Sequence, residues 1–257
     1  MTTTLKHCQR FLITSALLLL LFIETTAQST NHPFMVSFTG GLSFPIGRFA
    51  DNNVANLNTG SDMIGAAKTG WNGNIQLGYQ LNTHFGIALT GGVSKYERDG
   101  NMFVKYYENI YGNKSTVDSK KWSVFKLLAG PTYTAAVSKK VLFRSGLSAG
   151  IAKTAVPGYS YATYNPNGEI LGAGAVSKAK MPAAFAYQVN AGLGYELGTV
   201  LLLFDMSYFD ATATDKRIPF TGGPVVITIN PQPVTSQIKE KYKLSAFSAT
   251  LGIGLRF

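Results

Sequence analysis

Apolar and polar residues alternate with period two in eight separate stretches of this chain, and most of those stretches stop at a cluster of turn-forming residues. The cleanest is the last. Phe247, Ala249, Leu251, Ile253, Leu255 and Phe257 alternate with Ser248, Thr250, Gly252, Gly254 and Arg256 up to the final residue. Side chains that switch faces at every residue predict a β-strand. The first stretch sets Val36, Phe38, Leu42 and Phe44 against Ser37, Thr39 and Ser43. The second runs from Trp71 to Leu81 and the third from Phe85 to Val93, joined by Asn82-Thr83-His84 in a hairpin. The fourth carries Phe125, Leu127, Ala129, Pro131 and Tyr133, but Trp122 and Val124 fall on the opposite parity and Pro131 removes a ladder donor. A bulge or early fraying is expected there. The fifth (Val141 to Ile151) follows a short turn at Ser138-Lys139-Lys140, and the sixth runs from Phe185 to Tyr195. The seventh (Val200 to Tyr208) follows Leu197-Gly198-Thr199.

Eight strands are therefore expected, joined alternately by long and short connections. The long ones fall at about 47–68, 98–121, 153–182 and 210–243. Within the third, Asn165-Pro166-Asn167-Gly168 is a turn signal between two strand-forming flanks, which favours a hairpin over a floppy surface loop. In the fourth, Val225 to Ile229 is a candidate extension of the neighbouring strands. An even number of strands with this alternation fits an antiparallel up-and-down barrel whose short turns face the periplasm and whose long loops face outside.

Alternation alone leaves two barrels open, because a lipocalin-like soluble barrel points its apolar face inward. The polar face here is glycine, serine, threonine and amide with few charges, which suits the cramped interior of an eight-stranded barrel better than a water-exposed exterior. Aromatic residues also gather at the ends of the apolar faces. Tyr79, Phe85, Tyr133, Phe143, Tyr195 and Phe257 lie at the turn end, and Phe44, Trp71, Phe185 and Tyr208 at the loop end, as two interfacial girdles would.

Thr250, Gly252, Leu255 and Phe257 resemble the C-terminal assembly signal of bacterial outer-membrane β-barrels, and the stretch 129–133 resembles a turn-proximal sequence of the same barrels. With the eight strands, the chain resembles the small outer-membrane barrels of the OmpA/OmpX type. The resemblance implies an all-β transmembrane barrel in a Gram-negative outer membrane. It also implies outer-membrane lipid, lipopolysaccharide and the barrel-assembly machinery as partners. Such proteins serve as structural elements, adhesins, resistance factors or lipid-modifying enzymes, so the fold leaves function open. With Phe257 as the last residue, no peptidoglycan-binding domain is expected to follow.

The start of the chain supports export. Lys6, His7 and Arg10 precede an apolar run from Phe11 to Ile23, and Thr25-Thr26-Ala27 supplies small residues for cleavage, so 1–27 reads as a signal peptide and 28–257 as the barrel domain. The run is shorter than the roughly 20 residues a spanning helix needs. Cys8, the only cysteine, lies in the removed segment without a lipoprotein cleavage context, so the mature chain holds no disulfide and no cysteine-ligated metal.

Charge and candidate chemistry narrow the function. The formal charge of +10 is spread along the chain without a basic stripe, which argues against nucleic acid and suits anionic lipopolysaccharide or an extracellular ligand at the loops. A lipid hydrolase or acyltransferase would need a histidine with a serine or acidic partner near the outer leaflet. Past the signal only His32 and His84 remain, both at the expected periplasmic end, and no metal-ligand spacing is visible. No catalytic residue, cofactor or metal is assigned. A pore is disfavoured because eight strands enclose an interior that side chains fill. The expected function is a non-enzymatic surface protein with a closed polar lumen, with a small pore or a lipid-modifying enzyme as the alternatives. On the inward parity, Arg144 with Asp205 and Glu196 with Arg256 are the candidate lumen charges, expected to pair because so narrow an interior cannot hydrate them fully.

Overall fold

The computed structural model describes residues 33–56, 62–215 and 240–257. In chain order the elements are β1 (Phe34–Ile46), β2 (Asp62–Met63), β3 (Ala67–Gln80), β4 (Phe85–Arg98), α1 (Gly100–Tyr111), β5 (Ser115–Ser119) and β6 (Trp122–Ala136). There follow β7 (Val141–Val156), β8 (Tyr159–Tyr164), β9 (Ile170–Val176), β10 (Ala179–Lys180), β11 (Ala184–Leu197), β12 (Val200–Asp215) and β13 (Glu240–Arg256). Eight long strands pair antiparallel in the order β1-β3-β4-β6-β7-β11-β12-β13, and β1 pairs with β13 to close the barrel. Closure matters energetically because an open edge in lipid would leave a row of backbone groups without partners. Phe34 and Phe257 exchange backbone hydrogen bonds, so β1 begins and β13 ends together at the end of the short turns.

The apolar parity faces outward. Phe38, Leu42, Ile75, Leu89, Leu147, Val189, Leu251 and Ile253 stand exposed on the barrel wall, while Ser37, Ser43, Asn72, Thr90, Gln188, Ser248 and Thr250 are buried within it. This excludes the lipocalin-like arrangement, which requires the reverse. Aromatic side chains rim both ends of the exposed belt. At the turn end Phe34 meets Tyr79 at 4.9 Å and Phe85 meets Tyr133 at 5.3 Å between ring centroids. At the loop end Phe44, Phe247 and Tyr208 stand level on adjacent strands, with Tyr208 and Phe247 5.2 Å apart. The exterior is that of a transmembrane β-barrel, and the long loops lie beyond its second girdle.

Three expectations from the sequence are corrected. No bulge or fraying occurs around Pro131: β6 keeps one register against β4 and against β7 and continues to Ala136. The opposite parity of Trp122 and Val124 has another cause, since both side chains point into the barrel and are buried. The irregularity lies instead in β3, between Ala67 and Gly70, where a Cβ on Gly70 would overlap the Lys95 carbonyl. Second, the stretch 98–121 is more than a connection, since it holds α1 and β5. The hairpin expected at Asn165–Gly168 does form, between β8 and β9, with Gly168 at φ 84°. Third, the lumen is not polar throughout. An apolar core of Phe49, Trp122, Leu128, Phe209, Tyr242 and Leu244 fills its outer half. Residues 1–27, His32 and the Val225 to Ile229 run lie outside the described residues.

Candidate functional site: a plugged lumen beneath a folded cap

The lumen divides into two halves. The turn-side half is mixed: the strands present Gln76, Thr90, Arg144, Gln188, Asn190 and Asp205 on their inward parity, and Leu142, Leu201 and Leu203 form a small apolar cluster beside them. Arg144 on β7 and Asp205 on β12 both stand level with Gly192 on the strand between them. Glycine there is a requirement of space: a Cβ would overlap the Asp205 carboxylate and the Phe204 carbonyl. Across that gap Arg144 Nη1 approaches Asp205 Oδ2 at 3.8 Å, too far for a hydrogen bond, while Arg144 Nη2 donates to Gln76 Oε1 at 2.9 Å. Asp205 Oδ1 has no hydrogen-bond partner. At the turn end Arg256 donates to Glu196 from a partly exposed position. The four residues thus form two separate ion pairs.

Lys126 is the lumen charge that the sequence reading missed. It lies on the inward parity of β6, fully enclosed, donates to Gln188 Oε1 at 2.6 Å and sits 5.4 Å from the centroid of the Phe209 ring. Gly92 makes room for it, since a Cβ there would meet Asn74 and Lys126. The signal was present in the alternation. It is blurred because Trp122, Val124 and Leu128, on the same parity as Lys126, are apolar too, so neither side of this strand stands out as the polar one.

The outer half is sealed by side chains from both the strands and the first loop. Phe49 packs edge-on against Tyr96 at 5.1 Å and against Trp122 at 5.4 Å. Trp122 Nε1 donates to the Gly65 carbonyl at 2.9 Å, which ties the returning loop to the barrel mouth. Gly65 allows that approach, as a Cβ would collide with Phe49. At the boundary between the halves, Ser43 shares short contacts with Tyr96 Oη at 2.9 Å and Ser248 Oγ at 2.8 Å.

Above the plug stands a cap with its own core. Met102, Phe103 and Tyr107 of α1 are buried with Ile64 and Ala66, against Tyr159 and Tyr161 of β8. Tyr107 stacks on Tyr161 at 4.4 Å and Phe103 on Tyr159 at 5.0 Å, so the helix lies on the sheet β5-β8-β9. Arg98, at the top of β4, reaches into this cluster 4.2 Å from the Phe103 centroid and donates to the Pro157 carbonyl at 3.0 Å. Asp99 caps α1 by accepting from Asn101 N–H, and takes further bonds from Asn52 and Lys68. Burial works to raise the Asp99 pKa, but those hydrogen bonds and the charge of Lys68 outweigh it and hold the carboxyl below its ordinary value. Gly112 ends the helix at φ 64°.

Other charged groups point outward just past the lipid-facing belt. Lys95, Lys153 and Lys243 are exposed on β4, β7 and β13, with Lys95 5.8 Å from the Trp71 ring. The residues read as an assembly signal divide by parity. Thr250 is buried and donates to the Asp205 carbonyl at 3.3 Å, Gly252 presses against β1 where a Cβ would overlap Phe38 and Thr39, and Leu255 and Phe257 face outward. His84 lies exposed in the β3–β4 turn, its Nδ1 2.9 Å from Thr83 Oγ1. Among the described residues no group of three or more His, Cys, Asp or Glu side chains is placed to hold a metal ion.

A closed ring of eight strands, apolar outside and capped at one end by long loops, decides the architecture. The fold is that of a transmembrane β-barrel. No protein-family model matches its sequence, and no curated protein does. Solved structures with a similar chain course include Neisserial surface protein A, at 11% identity and a TM-score of 0.41, covering 87% of this chain and 97% of that one. They also include Ail, the attachment invasion locus protein of Yersinia pestis, at 12% identity and a TM-score of 0.40, covering 88% and 99%. OprG from Pseudomonas aeruginosa is similar at 11% identity and a TM-score of 0.37, covering 88% and 97%. Identities and scores this low carry no function from those proteins to this barrel, whose reading rests on its own geometry.

Proposed function

We propose that this barrel is a non-enzymatic surface protein: the strands anchor it, and the folded cap presents a basic surface to lipopolysaccharide and to an extracellular ligand. The observation that carries this reading is the cap itself. Loops that served only to join strands would have no reason to assemble a helix, a three-stranded sheet and a buried core over a mouth that side chains already close. The outward lysines supply the second contact, because Lys95, Lys153 and Lys243 stand where the phosphates of the outer leaflet begin, and partly desolvated ammonium–phosphate pairs are strong there. Thermal unfolding in bilayers with and without lipopolysaccharide tests it. The unmodified protein should gain stability from lipopolysaccharide, and a Lys95→Gln, Lys153→Gln, Lys243→Gln triple variant should lose most of that gain. Equal response of the two proteins would remove the lipopolysaccharide assignment.

Thr250, Gly252, Leu255 and Phe257 are proposed as the sequence the assembly machinery reads, supported by their place on the closing strand. Deleting Leu255 to Phe257 should deplete heat-modifiable barrel from the outer membrane. Undiminished folded protein would refute that role.

A further inference from the structure

The cap sheet has two unlike edges. β5 carries Asp118 and adjoins α1. β9 pairs with β8 on one side only, and among the described residues no strand pairs with its other edge. Ile170 and Leu171 are 64% and 58% exposed, and Gly172, Ala173 and Ala175 are exposed as well. Seven residues in a row, Ile170 to Val176, include no charge and no proline. Natural proteins blunt such edges with lysine, proline or a covering element, because the bare N–H and C=O groups will accept another strand. The one device present is a register shift opposite Thr163 and Tyr164, next to the turn. From Gly172 to Val176 the ladder is regular and open.

We propose that the free edge of β9 pairs antiparallel with β9 of a second copy of this chain, centred on Gly174. The occupant is named by complementarity. Antiparallel self-pairing about Gly174 sets Ala173 opposite Ala175 of the second copy and Gly172 opposite its Val176, so the central residues are small enough for the two cap sheets to approach without collision. The same register sets Lys178 of each copy opposite Ile170 of the other, one residue from Glu169, so an ammonium and a carboxylate come within reach of each other at both ends of the uncharged ladder. Tyr161 lies across Gly174, where a Cβ would overlap its ring, and stacks on Tyr107 of α1. The pairing strand is thus held to the helix and cannot swing away from its edge. Two three-stranded sheets would become one continuous sheet above two barrels, and neither barrel nor lysine rim needs to change.

Cross-linking tests it, because the chain has no cysteine after Cys8. Protein bearing Ala173→Cys is mixed in detergent with protein bearing Ala175→Cys and oxidised mildly. The mixture should give a disulfide-linked species of twice the monomer mass, several-fold more than Asn167→Cys protein treated in the same way. Asn167 is exposed at the hairpin tip, and the tips of two antiparallel partners point apart. A variant with Ala173→Lys and Ala175→Lys should run as the monomer in size-exclusion chromatography while keeping its heat-modifiable barrel, where the unmodified protein elutes as a dimer. Absence of the linked species from the mixture would overturn the proposal. So would equal linkage through Asn167→Cys, or an adduct on intact cells only with some other protein.

Discussion

Asp205 is a carboxylate in a lumen with one facing guanidinium, and the gap between them exists because Gly192 has no side chain. The pair meets at 3.8 Å as charges without a hydrogen bond, so its coupling should be moderate for a buried pair. Removing one member strands the other away from water, which is costlier than removing both. Arg144→Ala alone should therefore destabilise the barrel by about 1 to 3 kcal/mol. Adding Asp205→Ala should cost less than the sum of the two single changes, by about 0.5 to 3 kcal/mol. Urea unfolding in detergent measures all three variants, and strict additivity would show that the two residues act separately. Gly192→Ala should destabilise through the same site by pushing the Asp205 carboxylate aside, and it should do so less in the Asp205→Ala background.

Individual elements show what the sequence makes visible and what it hides. The barrel strands are legible because lipid outside and side chains inside impose period two over ten or more residues, as in β11 and β13. The register between them is not legible, and register alone puts Arg144 and Asp205 on either side of Gly192. α1 was readable and was missed: Asp99 is an N-cap, Gly112 a C-terminal stop, and Met102, Phe103, Tyr106 and Tyr107 recur at helical spacing. Lys105, Glu108, Asn109 and Asn113 interleave with or follow those positions and give the stretch the composition of a polar loop. The cores of the plug and cap were hidden for a different reason, since Phe49 and Ile64 come from the first long connection, Phe103 from the second and Tyr159 from the third, and only the closed barrel brings the three together. The capping bond gives a test at this scale. Asp99→Ala should loosen α1 by about 1 kcal/mol and speed proteolysis within the cap, with the barrel still heat-modifiable. The Asp99 pKa is lowered in the folded protein, so its contribution is complete above the ordinary carboxylate value of about 3.9 and is lost as pH falls through the lowered one. Acidification should therefore open the cap of the unmodified protein and change the Asp99→Ala variant less.

For the whole molecule, the short turns and the long connections set an orientation that single cysteines can read. Asn167→Cys in the cap hairpin should react with an impermeant thiol reagent on intact cells, and Lys139→Cys in the β6–β7 turn should react only after the outer membrane is breached. Reversal of that order would invert the topology. The same axis runs from an inner chamber of about 380 Å³, lined by Gln76, Arg144 and Asn190 together with Ala88 and Leu142, to an apolar plug, and any conducting path would have to cross both. An ion leaving the chamber meets Leu128, Phe209 and Trp122, each nearly or fully buried, and their apolar side chains cannot replace its hydration shell, so it faces a desolvation cost. Lys126 lies at that boundary, bound to Gln188 with no carboxylate paired to it among the described residues, and when charged it repels cations as well. The unmodified protein in planar bilayers should show no steady porin-sized conductance. Replacing Leu128 and Phe209 by alanine removes the side chains that separate the chamber from the mouth, at a cost of about 2 to 5 kcal/mol for each large-to-small change. The substituted barrel should remain heat-modifiable and begin to show brief openings, with anions favoured over cations by Lys126. Steady conductance from the unmodified protein would show that the plug is not a seal, and a silent double variant would place the barrier elsewhere along the lumen.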